Sequence, residues 1–533
     1  MSEAAIFDEL ISEFYRVWFR YHPLAAIFAG VSGYEGLLAV DGDDDMGALA
    51  SWLSNLLVSL EELDYEALDE DRQLDLNLLF GAVMIEHRTL LEHDWRHRDP
   101  AKYLPLRTLQ ELVVRQPEKF CEAMQGVLEG TADYLRDARG TLLELPELVS
   151  TLWLADALET AEAGVPWLKR LQRELPQTRE CCANQGRLQS LGSEAAEAVE
   201  DFHDFLLRDL APLAQGTSEC GPELIGHLLR HRHQLDLSAE NALHKAHLLR
   251  DRLQQQLQAL GLDRPRIRAK MAAEKLLKGP ARLQAYQEET ERLRQFVVDQ
   301  GLLMPPQQTL KLQVTENCFS KCECGSYLRS DAGGILLIPY EAQLGGGESL
   351  AAIRLRSLYA GWPGLHFLAW SGGVEACSLV RQINPSAAFN KGWAHYLSHQ
   401  LEARGYFGEE DLVQLSQRRL LLAEQAVLDL EFHMGLLDSL QVLERLQGLT
   451  DMPGWAEAGL TMLSRRPTDT FMALLGANMM DVTRRVVLQQ QTELSLQDFH
   501  SGLLAHGAVS LPLVVRRVFG DPIWQRVTNE VFG

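Results

Sequence analysis

The fold class follows from residues 409–446, which read EEDLVQLSQRRLLLAEQAVLDLEFHMGLLDSLQVLERL. Apolar side chains recur in this stretch at alternating steps of three and four, at Leu420, Ala423, Val427, Leu430, Met434 and Leu437. Such steps place side chains on one face of an α-helix, so the stretch predicts one long helix with a continuous apolar stripe. A second stripe of the same kind consists of Ala195, Val199, Phe202, Leu206 and Leu210.

Helical signals also occur between these two stripes. Ser238 stands directly before an amphipathic run that extends to Leu260. A serine at that position caps a helix, because its side chain accepts a hydrogen bond from a backbone N–H of the first turn. Residues 267–303 also predict helix, with a break at Gly279-Pro280 because proline lacks the N–H that a helix interior needs.

Residues 305–347 differ from the rest of the chain. Leu310–Val314 alternates apolar and polar side chains, which is typical of a strand, and Gly334–Pro339 is a second, apolar run. Three glycines, residues 345–347, end the region. We therefore predict a mainly α protein with a small hairpin or short sheet. The predicted arrangement is one continuous domain that comprises an N-terminal helical part (1–304), a β insert (about 305–347) and a C-terminal helical part (348–533).

The composition excludes several classes of protein. The 533 residues include 74 acidic and 50 basic ones, which gives a net charge of −24, and 46% are apolar, so the chain is neither disordered nor a disulfide-rich miniature. Nucleic acid and anionic membranes attract a surplus of Lys and Arg, so neither is predicted as a partner. No run approaches the roughly 18 apolar residues of a membrane span. The N-terminal residues lack the pattern of an export signal, so we expect a cytoplasmic location and mostly free thiols among the eight cysteines.

Two short segments could carry chemistry but have simpler explanations. Cys318, Cys322 and Cys324 could bind a structural metal, but their spacing is irregular and no fourth ligand is evident, so a cysteine-rich turn is the simpler interpretation. Ser371 has only half of a GxSxG nucleophile motif around it. Cys377 could act as a nucleophile with a distant histidine, whereas a buried inert thiol is the simpler interpretation.

A third segment places several possible metal ligands on one helix face. His395 and His399 are four residues apart, and Glu402 follows three residues later. Two imidazoles at this spacing can bind a metal, as in the HExxH helix, but the glutamate between them is missing here. Surface or core histidines are the simpler interpretation.

Four regions of the chain match a family pattern in their order and spacing. They are Phe14–Ala26 with Gly30–Tyr34; Ile225–His231 with Leu235–Glu240; Gly392–Tyr396, where GWAHY is similar to EGWALY; and Asp498–His500 with His506–Leu513. Together they resemble a bacterial family of all-helical, zincin-like proteins, domain of unknown function eight-eight-five. The resemblance extends from about residue 10 to about residue 520. It implies a helical zincin-like fold and a zinc metallopeptidase activity.

This chain departs from all three motifs that the resemblance associates with catalysis. Residues 366–373 stand where HExxPGHH is expected and keep at best its first histidine, as His366. Lys391 stands where the zinc-binding glutamate of EGWALY is expected, and Pro467–Ala473 replaces PGQALxY. An ammonium group has no lone pair for a metal and repels a divalent cation. Without zinc no bound water becomes acidic near neutral pH, and without the motif glutamate no base receives its proton.

The sequence therefore favours a catalytically degenerate, non-enzymatic relative without a cofactor. It would bind a peptide, a small anionic ligand or a protein partner in the former active-site cleft. The candidate ligand-binding residues are Glu375, Lys391, Trp393, His395, Tyr396 and Asp469. Lys391 could hold a ligand carboxylate, and the simpler interpretation is that it neutralises Glu375 or Asp469.

The alternative hypothesis is an active, metal-dependent peptide hydrolase with a rebuilt zinc site. Its candidate metal ligands are His366, Glu375, His395 and His399, with Glu402 as a further candidate. Zinc is expected only under this hypothesis. A third hypothesis is a metal-free enzyme that uses Ser371 or Cys377.

Overall fold

A computed structural model describes residues 2–178, 185–315, 327–330, 333–344, 346–370, 378–450 and 454–533. These residues form two compact units. The first unit extends to Ser218, and the second contains the described residues from Glu219 to Gly533. The single continuous domain with divisions at residues 304 and 347 stays a prediction.

Helices make up most of both units, so the prediction of a mainly α protein is confirmed. The helices of the first unit are α1 (Glu3–Tyr21), α2 (Pro23–Ala29), α3 (Asp43–Glu61), α4 (Glu70–Glu92), α5 (Leu106–Arg115), α6 (Phe120–Glu144), α7 (Thr151–Thr178) and α8 (Gln185–Phe205). Those of the second unit are α9 (Gly221–His231), α10 (Ala239–Ala259), α11 (Arg264–Ala272), α12 (Gly279–Asp299), α13 (Leu350–Ala360), α14 (Leu365–Trp370), α15 (Leu379–Ile383), α16 (Ala387–Asn390), α17 (Gly392–Glu402), α18 (Glu409–His433), α19 (Ser439–Gln447), α20 (Trp455–Arg465), α21 (Asp469–Gln490), α22 (Leu496–Leu503), α23 (Leu511–Phe519) and α24 (Asp521–Phe532). Across the described residues, no helix combines the length and apolarity that a bilayer span requires.

The core of the first unit lies where α8 packs against α6 and α7. The apolar stripe predicted from Ala195 to Leu210 is fully buried in this core. The stripe extends beyond the end of α8, because residues 206–210 form one π-helical turn that continues it. Cys121, on α6, is disulfide-bonded and Cys220 is free, and the expectation of mostly free thiols stays a prediction.

The second unit is built around α18, which contacts α10, α11, α13 and α21. The prediction of one continuous helix up to Leu446 is wrong. Helix α18 ends at His433, Gly435 adopts a left-handed backbone with φ of 70°, and Asp438 caps α19 by accepting a hydrogen bond from the Gln441 N–H. Glycine after a helix and aspartate before one are ordinary stop and start signals, which the continuous apolar stripe concealed.

Two other predicted helix boundaries are confirmed. The Ser238 side chain accepts a hydrogen bond from the Asn241 N–H at 3.2 Å and caps α10. The break at Gly279-Pro280 coincides with the start of α12, where Pro280 lies in the first turn and its missing N–H costs nothing, but the helix predicted before the break ends at Ala272 and residues 273–278 are not helical.

The predicted β insert contains one small sheet of three strands, and a second sheet of two strands lies outside the predicted bounds. Strands β1 (Leu276–Leu277) and β5 (Glu348–Ser349) pair antiparallel. Strands β2 (Thr309–Thr315), β3 (Tyr327–Ser330) and β4 (Gly333–Pro339) form a sheet in the order β2-β4-β3. The two strands predicted from the sequence, β2 and β4, are parallel neighbours with Lys311 opposite Ile335, so they do not form a hairpin with each other. Leu336 and Ile338 of β4 are fully buried against α12 and α13.

Helices α16 and α17 approach α21 closely because small residues line the contact. A Cβ atom on Gly476 would lie 2.6 Å from the Cα of Ala388, and one on Gly392 would lie 2.8 Å from the carbonyl oxygen of Ala473. Only glycine fits at these two positions without a shift of backbone. This close approach brings the polar face of α17 next to the N-terminus of α21.

Candidate functional site

One face of α17 carries Lys391, His395 and His399, which follow one another at intervals of four residues. This is the face that the spacing predicts. Lys391 lies at the N-terminus of the helix, and each of the three side chains contacts a different partner.

Lys391 forms an ion pair with Asp469. Its Nζ atom lies 3.1 Å from Oδ2 of Asp469, and the two side chains are 30% and 18% exposed. Burial alone would raise the pKa of Asp469, but the charges of Lys391 and Arg232 outweigh burial, so the pKa is lowered. Asp469 is therefore ionised at neutral pH and neutralises the cation that stands at the expected zinc-ligand position.

A buried carboxylate fixes the start of α21 and therefore the position of Asp469. Asp429 has no exposed surface and accepts hydrogen bonds from the backbone N–H groups of Thr468, Thr470 and Phe471 at 3.1, 3.0 and 3.1 Å. Burial raises the pKa of Asp429 to about 7, although the N–H groups of Phe471 and Thr468 act in the opposite direction.

Thr468, directly before Asp469, has a strained backbone. Its φ is 71°, in the left-handed region that a β-branched residue rarely adopts. Its hydroxyl lies 2.9 Å from Nε2 of His233, which is almost completely buried. In the PGQALxY motif of the resemblance, glycine stands where this chain has Thr468, and glycine adopts this backbone without strain.

His395 forms a buried pair with Tyr359 of α13. Its Nδ1 atom lies 2.8 Å from the Tyr359 hydroxyl, and the two rings meet edge to face at 4.7 Å. Burial, together with the charge of Arg418, lowers the pKa of His395 well below its usual range, so the imidazole is neutral at neutral pH. No described residue bonds its second nitrogen, Nε2.

Two arginines of α18 border this pair. The Arg418 guanidinium carbon lies 3.7 Å from the centre of the Tyr359 ring. Arg419 forms an ion pair with Glu402 at 2.7 Å and donates a hydrogen bond to Ser398 at 3.3 Å. Burial raises the pKa of Tyr359, although the charges of Arg418 and Arg419 act in the opposite direction.

The candidate metal ligands that the structure describes do not converge. His399 lies 3.5 Å from Asp481, and Glu402 is bound to Arg419. His366 contacts the Tyr327 hydroxyl and the Gln308 carbonyl oxygen, each at 3.2 Å.

Within the described ranges, no group of three or more His, Cys, Asp or Glu side chains is arranged to hold a metal ion. The described residues therefore do not fit the zinc that the resemblance implies. Glu375, Ser371, Cys377, Cys318, Cys322 and Cys324 lie outside the described residues.

Trp393 and Tyr396 are fully buried beneath the polar face of α17. The indole of Trp393 donates a hydrogen bond to the Pro363 carbonyl oxygen at 3.1 Å. The Tyr396 hydroxyl lies 2.6 Å from Nε2 of His500, and Nδ1 of His500 is 2.8 Å from the Leu302 carbonyl oxygen. Because that carbonyl can only accept, Nδ1 carries the proton and Tyr396 donates to Nε2. These two predicted ligand-binding residues therefore present no surface to a ligand in this structure.

Comparison with known proteins identifies the family. The model of the family described as "Bacterial protein of unknown function (DUF885)" matches residues 23–518. The chain belongs to this family. Its function is not established by membership, since the family itself is described only by its bacterial origin.

Two solved structures share the fold of this DUF885 member. One, described as "a putative lipoprotein of unknown function" from Shewanella oneidensis, has a TM-score of 0.76 and 15% identity and covers 97% of this chain and 100% of its own. The other, described as "the putative lipoprotein" from Colwellia psychrerythraea, has a TM-score of 0.73 and 14% identity and covers 100% of this chain and 99% of its own. No curated protein matches the chain. At these identities the two structures show a common fold, and the zincin-like peptidase relationship stays a prediction.

Several residues of the site in this DUF885 member were not predicted from the sequence. Tyr359, Arg418 and Asp429 lie on helices without a recognisable motif, and no local spacing relates them to α17. The one available signal was Thr468, because threonine replaces a glycine of the expected pattern there.

Proposed function

We propose that this DUF885 member is a catalytically degenerate relative of zinc metallopeptidases, which binds a peptide, a small anionic ligand or a protein partner at the polar face of α17. The observation that carries the proposal is the ion pair between Lys391 and Asp469, 3.1 Å apart. A cation occupies the position that the resemblance assigns to a zinc-binding carboxylate, and a neighbouring acid holds it there. A metal ion at the same position would meet a positive charge in place of a ligand.

The contacts of the other candidate ligands support the same proposal. A catalytic zinc site needs three side chains directed at one point. His366, His395 and His399 instead contact Tyr327, Tyr359 and Asp481, respectively. The alternative of a hydrolase with a rebuilt zinc site therefore gains no support from the described residues.

The charge of the site indicates the kind of ligand. The chain as a whole is acidic, with a net charge of −24. Beside α17, Lys391 and Arg419 are paired with Asp469 and Glu402, whereas Arg418 has no acidic partner among the described residues. A local unpaired cation on an acidic protein attracts small anions better than polyanions, which the distant charges repel. Nucleic acid and membrane are therefore not proposed as partners.

Metal content and peptide cleavage test the proposal together. The purified protein would be incubated with zinc, dialysed and analysed by elemental mass spectrometry, and a library of short peptides would be screened for cleavage. We expect far less than one zinc ion per chain and no cleavage. One zinc ion per chain, with peptide cleavage that a chelator abolishes, would contradict the proposal and favour the hydrolase.

The cytoplasmic location also belongs among the proposals, and two observations argue against it. Cys121 is disulfide-bonded, and disulfides persist mainly in oxidising compartments. The two solved structures with this fold are described as putative lipoproteins. Fractionation of cells that express the full-length protein distinguishes the two locations, since a cytoplasmic protein stays with the soluble cytoplasmic enzymes.

A further inference from the structure

Arg418 is a cation for which the described part of the chain provides no acidic partner. Among the residues that the structure describes, no carboxylate forms an ion pair with its guanidinium, which lies over the Tyr359 ring and is repelled by the charge of Arg356. The nearby arginines are both neutralised, since Arg356 binds Glu348 at 2.8 Å and Arg419 binds Glu402 at 2.7 Å.

The position of Arg418 is fixed, and solvent reaches it. The guanidinium lies 3.7 Å from the centre of the Tyr359 ring, and stacking on an aromatic ring holds its plane in one orientation. The side chain is exposed to solvent. Burial by the surrounding protein nevertheless lowers the pKa of Arg418, and the charge of Arg356 adds to this effect.

The chemistry of the Arg418 guanidinium suits a carboxylate. An oriented guanidinium offers two parallel N–H groups, and these match the two oxygens of a carboxylate. The uncompensated charge at Arg418 is a single one, so a monoanion neutralises it, whereas a phosphate dianion would leave a surplus negative charge. Both Arg418 and the neutral His395 contact Tyr359, and Nε2 of His395 is bonded by no described residue, so it is available for a second hydrogen bond.

We propose that Arg418 binds the carboxylate of the ligand, with His395 held beside it by Tyr359 as the second contact. This inference rests on the proposed function and adds the chemical class of the ligand. The carboxylate belongs either to a small organic acid or to the C-terminus of a peptide, since Arg418 presents the same N–H groups to both.

Matched probes with and without a carboxylate test the inference. Two pools would be dialysed against the full-length protein and quantified by mass spectrometry: N-acetylated single amino acids and N-acetylated tetrapeptides. Each pool would be used with a free C-terminal carboxylate and with a C-terminal amide. We expect the protein to retain acid forms and to release the corresponding amides. Retention of the single amino acids indicates a small acid as ligand, and retention of the tetrapeptides alone indicates a peptide end.

Variants assign the binding to Arg418. In Arg418→Gln the dissociation constant of a retained acid should rise at least tenfold. Arg418→Lys, which keeps the charge but not the paired N–H groups, should bind with intermediate affinity. Arg294→Gln is the matched control, because Arg294 is an exposed arginine of α12 that pairs with Glu291 at 3.7 Å. Circular dichroism would verify that each variant is folded.

Three outcomes would overturn the inference: no retention of any acid, equal retention of acids and amides, or unchanged affinity in both Arg418 variants. None of them affects the proposed function, which fails only if the protein holds stoichiometric zinc and cleaves peptides. Failure of the inference and failure of the proposed function are therefore distinguishable.

Discussion

Acidification should destabilise the second unit, because this unit buries neutral histidines. His233, His433 and His500 are at most 1% exposed. Burial lowers their pKa values to about 3, about 4 and about 4. A histidine whose pKa is depressed in the folded state contributes stability that is present above its unfolded pKa of about 6.5 and is lost as the pH falls toward the folded value.

The size of the effect follows from these pKa values. Each pH unit between the unfolded and the folded pKa costs about 1.4 kcal/mol per group, so a change from about pH 6.5 to about pH 5 costs about 2 kcal/mol per histidine and about 6 kcal/mol for the three. Asp429 acts in the opposite direction, because its folded pKa of about 7 lies above its unfolded value. Its stabilising contribution is fully present at low pH and is lost as the pH rises through about 7. Acidification to about pH 5 therefore raises the free energy of unfolding by about 3 kcal/mol through Asp429. The expected net loss is about 3 kcal/mol.

Urea unfolding followed by circular dichroism, at about pH 7.5 and about pH 5, measures this loss. His500→Asn should lose about 2 kcal/mol less than the wild type between the two pH values, whatever its stability at neutral pH. His244→Asn is the control, because His244 is exposed and the substitution should leave the pH dependence unchanged. An unchanged free energy of unfolding in the wild type, or an equal loss in His500→Asn, would show that buried histidines do not control acid stability.

Three further predictions concern the contacts around α21. The two carboxylate oxygens of Asp429 accept three backbone N–H bonds, and Asp429→Asn replaces one of these oxygens with an NH₂ group that cannot accept. The free energy of unfolding at neutral pH should therefore fall by about 2 kcal/mol, as measured by urea unfolding. Lys391→Glu places a second carboxylate beside Asp469 and should lower the free energy of unfolding by about 2 kcal/mol. The double variant Lys391→Glu, Asp469→Gln should recover most of this loss. If the effects of the two substitutions simply add, the two positions are not coupled. Gly476→Ala places a methyl group 2.6 Å from the Cα of Ala388 and should lower the thermal midpoint, with a cost of about 1–3 kcal/mol that calorimetry can detect.

The helical fold could be predicted because its signal is local. Apolar side chains at steps of three and four identify a buried helix face without any knowledge of what covers it. The same rule failed between His433 and Ser439, where the apolar spacing continues although the helix does not. The pairing of β2 with β4 was also beyond prediction, since β-propensity identifies a strand but not its neighbour.

Only the part of the site that lies on α17 could be predicted from the sequence. The face of α17 follows from the spacing of Lys391, His395 and His399, which a helix fixes on its own. Their partners come from other helices, and the contact between α17 and α13 joins residues 36 positions apart in the chain, His395 and Tyr359. Arg418 could not be singled out, because its distinguishing property is the absence of an acid beside it among the described residues, and sequence does not record which side chains are neighbours.

Lys391 and Asp469 are best understood as one joint departure from the family motifs that the resemblance supplies. Each replaces a motif residue, glutamate in one case and glutamine in the other, and the two replacements lie 3.1 Å apart. A lysine alone would leave a partly buried cation beside the hydrogen-bonded start of α21, and an aspartate alone would place a second carboxylate close to Asp429, so either change is costly without the other. Together they neutralise each other and preserve the close contact of α17 with α21.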